Sequence, residues 1–148
     1  MQSARAAHNG KDEPPMLDPI REFLNQPLQA YLSTIDATGY PHPVPVWFGV
    51  DGDNLIFPTG AERVRLKHIR ANPKGAVAIG GNPSEGAGDG EGYLIKGELR
   101  IVDDNRALRH GVIHRYMSDE QAEGFIAMVD QMPYVLVRLT PTRVVRVR

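Results

Sequence analysis

Apolar and polar positions alternate with a period of two along most of the chain, and turn residues interrupt the pattern at short intervals. Leu28 to Asp36, Tyr40 to Val50, Leu55 to Thr59, Lys74 to Gly81, Tyr93 to Val102 and Tyr134 to Thr140 are predicted as strands. The clearest is the run in which Tyr93, Ile95, Gly97, Leu99 and Ile101 alternate with Leu94, Lys96, Glu98, Arg100 and Val102. Ala37-Thr38-Gly39 and Asp51-Gly52-Asp53-Asn54 are turn sequences, so the first three strands form an antiparallel meander. Pro141 is expected to break the last strand.

Helical spacing appears in four places. Asp18-Pro19 is a helix start, and Ile20, Phe23 and Leu24 then form an apolar stripe that Pro27 stops, giving a short lid or plug. Ala61 to Asn72 reads as a helix ended by Pro73. Asp103 or Asp104 can cap a third helix running to about Met117, and Ser118 with Gln121 makes a capping box for a fourth, which carries Phe125, Ile126 and Val129. Residues 1 to 15 are polar, small or Pro and read as a disordered tail, and residues 81 to 92 as a Gly-rich acidic loop.

The second strand is unusual because Pro41, Pro43 and Pro45 are spaced two apart. In an extended chain, residues of equal parity aim their N–H groups at the same edge, so this edge lacks three consecutive donors. The strand can pair fully on one side only. It therefore belongs at a sheet edge or at the mouth of a split barrel, with backbone groups near Trp47 and Phe48 available to something else. Six short antiparallel strands with a few helices predict a mainly β fold, a small closed or partly open barrel in one domain over residues 16 to 148. A barrel of this size is filled by its own side chains, so a ligand sits in an outer groove or between two copies.

The chain has 148 residues and a net charge of -1, which argues against a nucleic-acid partner. It has no cysteine, hence no disulfide, thiolate nucleophile or Cys-based metal site, and a cytoplasmic location is expected. No apolar run has the length of a signal peptide or a membrane span. One segment departs from this neutrality. Between Ala61 and Gly75, Arg63, Arg65, Lys67, Arg70 and Lys74 face a single acid, Glu62, at a strand-to-helix junction. A solvated basic face is the plain explanation, and a phosphate clamp is the functional one, since a helix start and guanidinium groups both favour an anion. His110 and His114 have the spacing of two metal ligands, but no third ligand accompanies them, so no metal site is expected. Trp47 is as readily a barrel hydrophobe as a ligand contact, and Ser33 and Thr34 read as ordinary strand residues.

Leu32-Ser33-Thr34-Ile35-Asp36, Gly39 to Phe48 with its Pro-Val-Trp-Phe run, Asp51-Gly52-Asp53, Phe57-Pro58-Thr59, the basic run Arg63 to Pro73 and Tyr93 to Glu98 follow one another in a telling order. It resembles that of the pyridoxamine 5'-phosphate oxidase-like, FMN-binding split barrels, in particular their flavin and deazaflavin oxidoreductase branch. The resemblance covers about residues 17 to 148 and implies a six-stranded split β-barrel. It implies that FMN or F420 is the cofactor, with Pro45, Val46 and Trp47 along the ring and Thr59, Arg63, Arg65 and Lys67 at the phosphate. It also implies a homodimer with the cofactor at the subunit interface. The family often has Lys where this chain has Arg65 and Asn where it has His68; a guanidinium still holds phosphate, as a fork instead of a point charge.

The expected activity is hydride transfer between the cofactor and a small conjugated substrate, chemistry that belongs to the cofactor and requires no acid, base or nucleophile signature in the chain. The alternatives are a non-catalytic flavin, deazaflavin or haem binding or storage protein of the same fold, and an oligonucleotide-binding barrel. Against the latter stand the net charge and the absence of interleaved basic and aromatic strand positions.

Overall fold

The computed structural model describes residues 15–80 and 90–147. The expected tail up to residue 14, and residues 81–89 of the expected Gly-rich loop, lie outside the described residues. Among the described residues there are seven strands: β1 (Ala30–Ile35), β2 (Pro41–Val46), β3 (Gly49–Asp51), β4 (Asn54–Gly60), β5 (Lys74–Gly80), β6 (Gly92–Asp103) and β7 (Tyr134–Arg146). They form one antiparallel sheet in the order β2-β1-β5-β6-β7-β4-β3. The two edges of this sheet are consecutive in the chain. Only Trp47 and Phe48 separate Val46 at the end of β2 from Gly49 at the start of β3, which limits their Cα separation to about 11 Å. A seven-stranded sheet can satisfy that limit only by rolling up, and no ladder joins β2 to β3 among the described residues. The result is a barrel left open along one seam, the expected split barrel.

The proline strand lies at this seam. β2 pairs with β1 alone, from Ala30 opposite Val46 to Ile35 opposite Pro41, and the three prolines are exposed. The chain must then cross from one sheet edge to the other, so the strand expected to run on to Val50 is interrupted, and seven strands replace the six expected. At the crossing Phe48 enters the core, fully buried, while Trp47 stays outside and 38% exposed.

The interior is filled by the inward set of each strand, including Leu32, Leu55, Phe57, Val77, Ile95 and Leu139. A 3-10 turn (Asp18–Ile20) and α1 (Arg21–Leu24) add Ile20, Phe23 and Leu24 to the same cluster, together with Leu17 just before the turn. Leu17 and Leu24 are fully buried. At about 1.5–3 kcal/mol for each such side chain, this segment is a plug that belongs to the core and not a lid. α2 (Arg65–Ala71) contributes Leu66 and Ile69.

α3 (Arg106–Tyr116) and α4 (Asp119–Val129) pack on the outside of the barrel through Ile113, Ala122 and Val129, with Phe125 and Tyr134 against them. Gly49 lies directly beneath this layer: a Cβ there would stand 2.8 Å from Cγ2 of Val112. The capping box of α4 is formed as expected by Ser118 and Gln121. At α3 the cap is Asn105, whose side chain accepts from Leu108 N–H at 3.0 Å, and not Asp103 or Asp104, because Asp104 is engaged by Arg109.

Pro141 does not break β7. Gly97 pairs with Pro141 while its neighbour Lys96 pairs with Arg143, so Thr142 is the extra residue of a β-bulge that absorbs the missing N–H. Among the described residues no helix is long and apolar enough to cross a membrane.

Candidate functional site

A cleft of about 480 Å3 opens where the seam meets the helical layer, a size within the usual range for small-molecule sites. Pro45, Val46 and Trp47 form one wall, Val112, Tyr116 and Phe125 face them from α3 and α4, and Gly60, Arg63 and Arg65 border it as well. Five of the seven residues expected at a cofactor site therefore meet in one place.

The aromatic wall is built across the seam. Trp47 stacks on Tyr116 with ring centroids 4.9 Å apart and planes within 4°, and Phe125 tilts against it at 5.7 Å. The Tyr116 hydroxyl donates to the Leu28 carbonyl at 3.0 Å and accepts the Phe48 N–H at 3.4 Å. Burial pushes this phenol above its ordinary value, so it stays protonated and able to donate. The bond also settles one expectation: the Phe48 N–H is consumed inside the protein, whereas the Trp47 N–H has no partner among the described residues.

The basic end takes its shape from β4 and the turn after it. Arg63 N–H closes a turn onto Gly60, and Ala61 N–H bonds the Pro133 carbonyl. α2 starts only at Arg65, later than expected, has seven residues and no side-chain cap, so attraction for an anion there rests on the guanidinium groups. Among the described residues neither Arg63 nor Arg65 has a carboxylate partner. The Nε of Arg65, like those of Arg115 and Arg138, is buried without a hydrogen-bond partner among the described residues. Burial, and next to it the charge of Arg63, lower the pKa of Arg65, the direction expected of two cations held together without a counter-charge.

Thr59 and Lys67 do not line the cleft. Strand alternation turns Thr59 inward, where it is buried and its hydroxyl donates to the Phe57 carbonyl at 2.9 Å, leaving its neighbours Pro58 and Gly60 on the cleft side. Lys67 is about 200° around the helix from Arg65 and is exposed.

Sequence reasoning missed the contribution of α3 and α4. Arg109 lines the cleft although it is 4% exposed, bonded to Asp104 at 3.0 and 3.1 Å and to Asp130, with its guanidinium 5.3 Å from the Tyr134 ring centroid. The hydrogen bond to Asp104 is the chief cause raising its pKa. Its charge is already balanced, which sets it apart from Arg63 and Arg65. The sequence signal for this wall was the i, i+1, i+4 spacing of Phe125, Ile126 and Val129, which by itself denotes core packing. His110 and His114 face Asp130 at 2.9 Å and Asp119 at 3.0 Å, and no group of three or more metal-ligating side chains occurs among the described residues.

The sequence profile of the family described as pyridoxamine 5'-phosphate oxidase matches residues 16–148. No curated protein matches the chain. Among solved structures, a conserved hypothetical protein from Mycobacterium tuberculosis superposes with a TM-score of 0.69 at 22% identity, over 85% of this chain and 80% of that one. An F420 reductase superposes at 0.63 and 24% identity, over 84% and 94% of the two chains. A haem storage protein from Vibrio cholerae gives 0.66 at 19%, over 88% and 94%. At these identities the structures share the fold.

Proposed function

The chain belongs to the pyridoxamine 5'-phosphate oxidase family, and from that premise we propose that it is an oxidoreductase whose cleft holds FMN or F420 and admits a small conjugated substrate. The observation that carries this reading is a pair of guanidinium groups, without carboxylate partners among the described residues, that borders an aromatic-walled cleft. A phosphate supplies the charge and the acceptors that this pair lacks, and a planar ring system suits the wall beside it. The residues present therefore fit such a cofactor.

Arg63 and Arg65 grip the phosphate, Arg65 through the fork of its guanidinium. Pro45, Val46 and Trp47 run along the ring, and the Trp47 N–H is a donor for its polar edge. Tyr116 holds the two sides of the seam together so that Trp47 keeps its place. Val112, Tyr116 and Phe125 exclude water from the apolar end, which strengthens every polar contact inside. When bound, the cofactor supplies the hydride chemistry; the chain supplies binding, orientation and dryness. Lys67 adds only to the positive field. A homodimer with the cofactor at the subunit interface is part of this proposal.

The test is spectroscopic and then kinetic. Titration of purified protein with FMN and with F420 is expected to show saturable binding of one of them, and the reduced complex is expected to pass its hydride to a quinone or nitroaromatic acceptor. Binding without turnover of any such acceptor would replace the oxidoreductase by a storage or sensing protein. Binding of neither would overturn the reading.

A further inference from the structure

Among the described residues Arg65 has no hydrogen-bonding partner for its Nε, so its placement at the cleft depends on how α2 is held. That helix has seven residues and no side-chain cap, too short to be stable by itself. Leu66 and Ile69 anchor it in the core at 2% and 4% exposure. Apolar contacts of this kind are non-directional and tolerate small rotations of a helix about its axis.

One contact is directional. Thr34 Oγ1 and His68 Nδ1 are 2.8 Å apart, joining β1 to α2. Thr34 lies on the inward face of β1 in phase with Ala30 and Leu32 and is fully buried, where an unpartnered hydroxyl is costly. His42, paired with Thr34 across β1 and β2, meets the His68 ring edge-on with centroids 4.9 Å apart and limits the space into which the imidazole can swing. His68 is three residues beyond Arg65, so the two side chains leave the helix on neighbouring bearings, about 60° apart. Any rotation of α2 that carries Arg65 off the cleft must also stretch the Thr34–His68 bond.

We propose that Thr34 and His68 are positioning residues: their hydrogen bond fixes the rotation of α2 and thereby aims the Arg65 guanidinium at the phosphate. This rests on the anion-binding reading of Arg65 given above, and the test separates the two. The readout is the ratio of affinities for FMN and riboflavin, or for F420 and its chromophore lacking the phosphate-bearing tail, followed through the fluorescence of Trp47, the chain's one tryptophan. The ratio isolates the phosphate contact, which general damage to the fold does not.

In the full chain, Thr34→Val is expected to cut the preference for the phosphorylated ligand by about tenfold while leaving affinity for the other within about twofold. Thr34→Ser, which keeps the hydroxyl, is expected to retain the preference. In an Arg65→Ala background, Thr34→Val is expected to change nothing further. If Thr34→Val does not fold, His68→Ala is read in the same way. A Thr34→Val or His68→Ala protein that keeps the wild-type ratio, or that weakens both ligands equally, overturns the proposal and leaves the Arg65 reading intact. A wild-type chain with no preference in either pair overturns both.

Discussion

Asp130 accepts hydrogen bonds or ion pairs from Arg106 at 2.9 Å, from Arg109, and from His110 at 2.9 and 3.1 Å. The bond from His110, followed by that from Arg109, holds its carboxyl well below the ordinary value of 3.8. A carboxylate whose pKa is lowered by folding contributes its stability in full above the unfolded value and loses it as pH falls below that value toward the folded one. Asp130→Asn is therefore expected to be less stable than wild type at pH 7, and the gap is expected to narrow below about pH 4. Urea midpoints at pH 7 and pH 3 check this; a gap that widens in acid would contradict it. None of this cluster was legible in the sequence, because Asp130 and its partners are twenty or more residues apart and nothing in their spacing pairs them. Arg63 and Arg65 were legible for the opposite reason: a local excess of cations with one neighbouring acid shows without knowledge of the fold. The inward turn of the Thr59 side chain was not legible, because a family pattern carries a position but not its parity in the strand.

At the scale of elements, alternation located the strands, while the connections between them came out less well. The proline edge strand was legible because the missing donors are a property of the residues themselves. Its early end at Val46 was not, since it follows from the need to join two edges of one rolled sheet. The bulge opposite Gly97 was likewise hidden, and Pro141 read as a break. Its energetics can be tested at Gly97, where a Cβ would lie 2.1 Å from the Thr140 carbonyl oxygen and 3.1 Å from Leu139 Cδ2. The nearer neighbour is backbone in the adjoining strand and cannot yield cheaply. Gly97→Ala is expected to cost about 3 kcal/mol, the upper end for an overpacked core. Chemical denaturation measures it, and a loss under about 0.5 kcal/mol would mean that the strands part there without strain. The start of α2 at Arg65 instead of Ala61 has a simple physical origin: residues 61–64 turn to meet Pro133, a partner far along the chain.

For the molecule as a whole, the helical layer covers only part of the barrel. α3 and α4 pack on β3, β4 and β7, whereas the outward side of β1 presents Tyr31 at 45% exposure beside the exposed prolines of β2. The proposed homodimer would cover such a face, and sedimentation at micromolar concentration is expected to return a dimer; a monomer would remove that part of the proposal. The cleft itself lies at the junction of three features: the seam left by the prolines, the aromatic bridge from Trp47 to Tyr116, and the uncompensated arginines after β4. We propose that these arginines bind the phosphate of a ring cofactor. The most direct test is calorimetric titration of FMN and F420 into wild type and into the Arg63→Ala/Arg65→Ala double variant. Loss of two charge-assisted contacts, each about 1.5–3 kcal/mol, predicts affinity lower by about a hundredfold or more for whichever cofactor the wild type binds. An unchanged affinity in a folded double variant would mean that the arginines do not hold the cofactor.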